Sequence, residues 1–345
     1  MKAAVFEAYG GPIEVREVEE PQLPDDAVMI RVEACGICRS DWHGWMGHDS
    51  DVRLPHVPGH ELAGTVHAVG AAVCDWQSGQ RVTVPFCCGC GTCEQCIDGC
   101  THICDAYTQP GFTQWGAFAE FVIIRHADVN LVALPSGMDA VTAASLGCRF
   151  ATAFRGVVDQ GRVTDSDTVA VFGCGGVGLS AVLIAKAMHA RVIAIDIGDE
   201  QLAQAKKCGA DVTINASDCS VVDAVREQTN GGATVTVDAL GSRKTCFDAI
   251  ASLRKRGRHV QIGLTLGTES DPPIPMSAVI AGELEVFGSH GMAAAEYPRM
   301  LEMIAAGRIN PLLLIGDVVS LEESCERLMR LNEFTTVGAT VIKLV

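Results

Sequence analysis

Four cysteines stand close together in the stretch CGCGTCEQCIDGCTHIC: Cys90, Cys93, Cys96 and Cys104. Three recur at every third residue, and the fourth completes a C-x2-C-x2-C-x7-C pattern. Four thiolates on one short loop can close a tetrahedral zinc shell and leave no position for water, as a structural zinc site does. Cys87, Cys88 and Cys100 lie beside the set as spare thiols, and spacing alone leaves a register through Cys100 open.

A second constellation lies in VAVFGCGGVGLSAVLIAKAM. Gly173, Gly175 and Gly178 form G-x-G-x-x-G, with Gly176 and Val177 inside it, directly after a strand-like run and at the start of a helix-like one. The first glycine permits a tight turn, the second lets the backbone approach a pyrophosphate, and the third lets helix and strand pack closely. The helix N-terminus then offers free N–H groups and a positive dipole end to phosphates. Asp196 ends the next strand, where a carboxylate can accept hydrogen bonds from ribose hydroxyls and repel a 2′-phosphate. The expected cofactor is therefore NAD rather than NADP.

These residues need a framework, and composition bounds it. The chain has 345 residues, enough for about two domains of ~150 residues each. Apolar residues make up 48 %, ample for a core. A formal charge of −16 argues against nucleic acid as a partner and against an anionic membrane surface. Sixteen cysteines would suggest disulfides in a secreted protein, but the start MKAAVFEAYG has no signal-peptide pattern and reads as a strand. A reducing cytoplasm is the expected compartment, where clustered cysteines act as metal ligands. The apolar run at 169–188 holds glycines and Lys186, so it reads as a buried strand and helix rather than a membrane span.

The grammar changes near residue 150. Before it, alternating runs such as VMIRVEA (28–34), LAGTVHAVG (62–70) and RVTVPF (81–86) are punctuated by Gly and Pro, as in an irregular β-barrel. After it, strand-like VAVF (169–172), RVIAID (191–196), DVTIN (211–215), TVTVDAL (234–240), RHVQIG (258–263) and ELEVFG (283–288) alternate with helical stretches. DEQLAQAKKC is one of these, with Gly209 as its C-terminal cap. Such alternation implies an α/β domain with a parallel sheet covered on both faces. The tail adds a helix at 296–306 and a strand at 337–344. The two domains are expected to abut and leave a cleft.

The motifs GICRSDWH, PGHELAG, SLGCRFATA and VFGCGGVG, together with the four-cysteine stretch, occur in this order along the chain. In them the chain resembles a zinc-containing alcohol dehydrogenase of the medium-chain dehydrogenase/reductase superfamily, over essentially its whole length. The resemblance implies a GroES-like irregular β-barrel catalytic domain (1–149 with 290–345) and a Rossmann doubly wound coenzyme domain (150–289). It implies two zinc ions per chain, one catalytic and one structural, with NAD as coenzyme. The gap-free fit of the cysteine stretch to the family's lobe favours Cys90, Cys93, Cys96 and Cys104 over a register through Cys100.

The resemblance also assigns roles that residue spacing alone leaves open. Cys38, His60 and Cys148 match the catalytic zinc ligands, a set that keeps a fourth position for substrate or water. Glu61 matches an acid that can approach the metal or stay beside it. Asp41 matches the group that orients the ligand histidine, or is the N-cap of a short helix. Ser40 matches the hydroxyl that takes the substrate proton, and His43 the outer base that passes it to solvent. Arg39 matches a cofactor phosphate contact, while Thr152 and Val177 match residues beside the nicotinamide, or simply pack. Phe86 matches a substrate-pocket position; Trp45 and His290 are further pocket candidates, whereas Trp115 is expected in the core.

The implied reaction moves a hydride between a small to medium alcohol, or its aldehyde or ketone, and NAD. A polyol or other secondary-alcohol dehydrogenase is the nearest alternative, and Cys148 points away from it because many polyol enzymes use glutamate as the third ligand. A non-catalytic zinc- or nucleotide-binding protein would have no need of Ser40 and His43. Two departures stand out: Gln201 replaces a lysine common in relatives, and the tail TTVGATVIKLV lacks an arginine that reaches cofactor phosphates. Both predict looser or faster-releasing NAD. The absence of a long insertion after the lobe is shared with relatives that are commonly homotetramers rather than homodimers.

Overall fold

The structure is a computed structural model that describes residues 1–265, 267–333 and 337–344. Thr335 and Thr336, at the head of the arginine-free tail, lie outside the described residues. The chain forms two compact units: residues 1–151, 291–305 and 315–345, and residues 152–290 with 306–314.

In the first unit a seven-stranded sheet runs in the order Ile315–Val319, Ala339–Lys343, Val28–Ile37, Glu61–Val69, Arg81–Thr83, Val132–Ala133, and Phe121–Ile124 also pairs with Val28–Ile37. A separate hairpin joins Lys2–Phe6 to Ile13–Glu17. Val28–Ile37 is the long central strand. Its inward residues Ile30, Val32, Cys35 and Ile37 join a core with Leu62, Val66, Phe118 and Ile342. Burial of such β-branched and aromatic side chains is what stabilises a strand of this length. Trp45, a pocket candidate, belongs to the same core and donates its indole N–H to Gly11 O at 2.8 Å. Trp115, expected in the core, is 37 % exposed, with its indole N–H donating to Pro55 O at 2.9 Å.

The second unit holds six parallel strands in the order Val212–Asn215, Arg191–Asp196, Thr168–Phe172, Ala233–Asp238, Leu253–Gln261, Glu285–Gly288. This is the doubly wound order in which ligands bind beyond the carboxyl ends of the central strands. The apolar run at 169–188 resolves into the strand Thr168–Phe172 and the helix Gly176–Ala187. Gly209 follows the helix Asp199–Lys207 with φ +103°, a conformation that suits its position past the C-cap Cys208. Residues 306–314, expected in the first domain, pack in this unit. Gln204 donates to Leu313 O at 2.6 Å, which ties the segment to the helix Asp199–Lys207. Among the described residues, no helix is long and apolar enough to cross a membrane.

Candidate metal and dinucleotide sites

Three elements of the first unit deliver one donor set. Cys38 follows the strand Val28–Ile37 and is the N-cap of the helix Arg39–Trp45; His60 immediately precedes the strand Glu61–Val69; Cys148 opens the helix Cys148–Arg155. Ligand atoms of Cys38, His60, Glu61 and Cys148 all lie within 4.8 Å of one another. The sheet brings the first two segments together, since Gly36 and Glu61 are direct cross-strand partners. A Cβ on Gly36 would come within 2.3 Å of Glu61 Oε2, and one on Gly147 within 2.8 Å of Glu61 Cβ and Cγ. The two glycines thus make the slot in which Glu61 lies.

Asp41 organises the site. Its Oδ2 accepts the Cys38 N–H at 2.9 Å, while Oδ1 accepts the Gly59 N–H at 3.0 Å and meets His60 Nδ1 at 2.9 Å. A carboxylate only accepts, so Nδ1 carries a proton, and Nε2 is the nitrogen left to serve a metal. Asp41 is not the N-cap expected as the alternative: Cys38 holds that position, and Asp41 sits at N3, from where one carboxylate binds both the N-cap N–H and His60 Nδ1. His60 Nε2 is buried and has no hydrogen-bond partner, an arrangement that is costly unless a ligand completes it. The hydrogen bond from Cys148 holds the Cys38 thiol well below its usual range, with burial opposing. That same bond, reinforced by burial, holds Cys148 well above the usual thiol range. A divalent cation can replace the proton the two sulfurs share. Two thiols, an unpartnered imidazole nitrogen and an adjacent carboxylate fit zinc.

Glu61 is also engaged elsewhere. Arg149, which sequence reasoning passed over, donates to it from its backbone N–H and its guanidinium. Burial pushes the Glu61 carboxyl up, against the Arg149 charge. The one available signal was adjacency, since Arg149 follows Cys148 in SLGCRF. Phe112, also overlooked, lies edge-on to His60 at 5.3 Å, and Phe86 does so at 6.2 Å. Ser40 is half-buried, with Oγ 3.8 Å from Cys38 Sγ. His43 Nδ1 lies 3.0 Å from Nδ1 of His48, another residue without an assigned role. The Arg39 guanidinium lies over the Trp42 ring at 4.7 Å and donates to Asn332 Oδ1 at 2.8 Å.

The four-cysteine stretch forms its own cluster, with the sulfurs of Cys90, Cys93, Cys96 and Cys104 within 4.8 Å of one another and Cys100 outside the group. Backbone N–H groups point at the sulfurs. Thr92 and Cys93 donate to Cys90 Sγ at 3.4 Å each, and Cys90 and Ala106 to Cys104 Sγ at 3.2 and 3.3 Å. The Thr92 hydroxyl and the Thr92 and Cys93 N–H groups pull Cys90 down to about 5, the direction a thiolate ligand needs, whereas burial raises Cys96 and Cys104.

In the second unit Gly173 turns the chain with φ +89°, and a Cβ on Gly178 would lie 1.7 Å from Gly173 O. A Cβ on Gly175 would meet nothing within 4 Å, which leaves that face of the loop open to a ligand at the helix N-terminus. The loop fits a pyrophosphate. Asp196 supports it from the end of its strand, accepting from Cys174 N at 2.6 Å and from Ile197 N and Gly198 N at 2.8 and 2.9 Å. Val177 is half-exposed on the helix, Thr152 is buried, and His290 is exposed in this same unit. A Cβ on Gly198 would strike Gln201 Oε1 at 2.0 Å, so Gln201 folds back over the turn after Asp196.

Comparison with known proteins extends these likenesses to the entire chain. Residues 24–136 match the alcohol dehydrogenase GroES-like domain, and residues 176–306 match the zinc-binding dehydrogenase domain. An alcohol dehydrogenase of Geobacillus stearothermophilus is 31 % identical over 333 residues, 96 % of each chain. An NAD-dependent alcohol dehydrogenase of Sulfurisphaera tokodaii is 32 % identical over 353 residues, 99 % of each. The solved structure of alcohol dehydrogenase TADH from Thermus sp. ATN1 matches with a TM-score of 0.92 at 31 % identity, covering 100 % of both chains.

Proposed function

Because this chain belongs to the zinc-containing alcohol dehydrogenases of the medium-chain dehydrogenase/reductase superfamily, we propose that it catalyses NAD-dependent interconversion of small to medium alcohols with their aldehydes or ketones. The observation that carries this reading is the unpartnered His60 Nε2 among Cys38, Cys148 and Glu61. In it, Cys38, His60 and Cys148 hold a catalytic zinc, and Cys90, Cys93, Cys96 and Cys104 hold a structural one.

Zinc supplies a Lewis acid that lowers an alcohol's pKa, as it lowers that of water from about 15.7 to about 7, and NAD supplies the hydride acceptor. Asp41 keeps His60 in the tautomer whose Nε2 faces the metal position. Ser40, beside Cys38, takes the substrate hydroxyl proton, and His43 hands it on to solvent. Phe86 and Phe112 make the surroundings of His60 apolar, which favours an apolar alcohol over a polyol. The Asp196 carboxylate selects NAD by disfavouring a 2′-phosphate. Thr152 and Val177 would line the nicotinamide end of the coenzyme, and Arg39 would meet its phosphate.

The reading includes a cytoplasmic homotetramer. The sixteen unpaired cysteines support a reducing compartment. Exposed Met276 and Ile280, on the helix Met276–Gly282 that buries none of its residues, support a subunit contact. The test is metal analysis together with an NADH absorbance assay over primary alcohols, secondary alcohols and polyols. Two zincs per chain and turnover of primary alcohols are expected. One zinc or none, or activity confined to polyols, would sink the reading.

A further inference from the structure

The rings of His43 and His48 meet nitrogen to nitrogen, Nδ1 to Nδ1 at 3.0 Å. Two imidazole nitrogens at this distance share one proton, so one ring donates and the other accepts. The contact is held from several sides. The His48 N–H donates to His43 O at 3.0 Å just past the helix Arg39–Trp45. Both rings stand edge-on to the Trp42 indole, His43 at 5.1 Å and 74° and His48 at 5.6 Å and 71°. His43 is half-buried and His48 is exposed.

We propose that His48 is the outlet of the proton relay, acting through His43 by accepting at Nδ1 the proton that His43 releases. The inference rests on the dehydrogenase reading, in which His43 receives a proton on each alcohol oxidation. An imidazole passes a proton by gaining one at one nitrogen and losing one from the other. His43 Nδ1 is already committed to His48, so the incoming proton binds at Nε2. The His43 Nδ1–H bond then breaks as the His48 Nδ1–H bond forms, and His48 gives its Nε2 proton to water. One proton enters, one leaves, and no electron moves. Between turnovers His43 Nε2 loses its proton to water, the shared proton returns to His43 Nδ1 and His48 Nε2 takes one from water, which restores both starting tautomers.

The surroundings suit conduction rather than storage. Burial, then the charges of Arg39 and His48, press His43 below its usual value, and Cys38 opposes them. A proton arriving there passes outward readily. Arg39 acts from the same helix and Cys38 from its N-cap; Asp49 and Asp51 follow His48 in the loop, where Asp51 binds the Tyr107 hydroxyl. The exposed position of His48 gives it direct exchange with buffer.

The experiment uses the metal-loaded full-length protein with His48→Gln, His43→Gln and the double variant. Below about pH 7, His48→Gln is expected to slow alcohol oxidation about tenfold, with the loss shrinking as pH rises and external hydroxide takes the proton. Added imidazole buffer should restore the variant and leave the wild type unchanged. The double variant should be no slower than His43→Gln alone, because both act on one path. Ring-proton NMR should show coupled titration of His43 and His48 in the wild type and a single uncoupled step for His43 in His48→Gln. A wild-type pH profile in His48→Gln, or a loss equal at every pH and untouched by imidazole, would overturn the proposal. A wild-type protein that fails to oxidise any alcohol with NAD would instead overturn the dehydrogenase reading, and the NMR coupling would still report on the pair.

Discussion

Arg149 grips Glu61 at both carboxylate oxygens: its backbone N–H and Nε reach Oε1 at 3.1 and 3.0 Å, and Nη2 reaches Oε2. Arg149 is also the chain neighbour of Cys148. The clamp therefore fixes the carboxylate and the thiol relative to each other, and holds Glu61 beside the donor set with three hydrogen bonds already made to its oxygens.

Removing the arginine leaves a fully buried carboxylate without its cation. Arg149→Gln is expected to destabilise the first unit by about 3 kcal/mol, and Glu61→Gln combined with it to recover part of that loss. Urea midpoints for the two single variants and the double variant test this. Equal destabilisation by the single and double variants would show that the pair is not coupled.

The lobe should behave as a structural element. Cys93→Ser is expected to lower the thermal midpoint and remove one zinc equivalent, while the folded fraction keeps its turnover. Metal analysis and activity per folded molecule, followed side by side, check it. Turnover abolished in a protein with intact fold and assembly would mean that the two zinc roles are reversed.

Asp196 is itself a structural acceptor. Three backbone N–H groups of the glycine loop and the following turn bind its carboxylate. Asp196→Ala should therefore weaken both coenzymes while moving the NAD-to-NADP ratio of kcat/KM toward unity. Coenzyme titrations with each dinucleotide provide the measurement. An unchanged ratio would remove Asp196 from the selectivity argument.

Acid should destabilise the protein before most carboxylates titrate. Burial pushes His56 and His259 below the usual value of 6.5, against the hydrogen bonds each makes. Both stay neutral in the fold, so the unfolded chain binds more protons between the folded value and 6.5. Their contribution is complete above 6.5 and is lost as pH falls through the folded values, by about 1.4 kcal/mol for each unit of depression. Urea midpoints should fall between about pH 7 and about pH 5, and less steeply in His56→Asn. A midpoint flat across that range would contradict this account.

What could be read from the chain depended on how local the cause was. RVIAID (191–196) is a strand over the same residues, because a β-branched run between charged ends has one comfortable conformation. The strand at 258–263 starts earlier, at Leu253, since LRKRG carries outward charges that mask the pattern. The glycine loop and the cysteine lobe were legible because each is contiguous. Cys38, His60 and Cys148 became legible only through family likeness, as sheet pairing rather than spacing brings them together. Arg149 and His48 were not read at all, because neither side chain's importance exists until the fold supplies its partner.

The compactness of the lobe also has a consequence in time. All four of its sulfurs exist once Cys104 has been added to the growing chain, whereas the other donor set waits for Cys148. Closing a short loop costs less chain entropy than closing a long one. On the two-zinc reading, an ion meeting the nascent chain would find a complete shell at the lobe first, and the later site would fill on a scaffold already anchored at one corner.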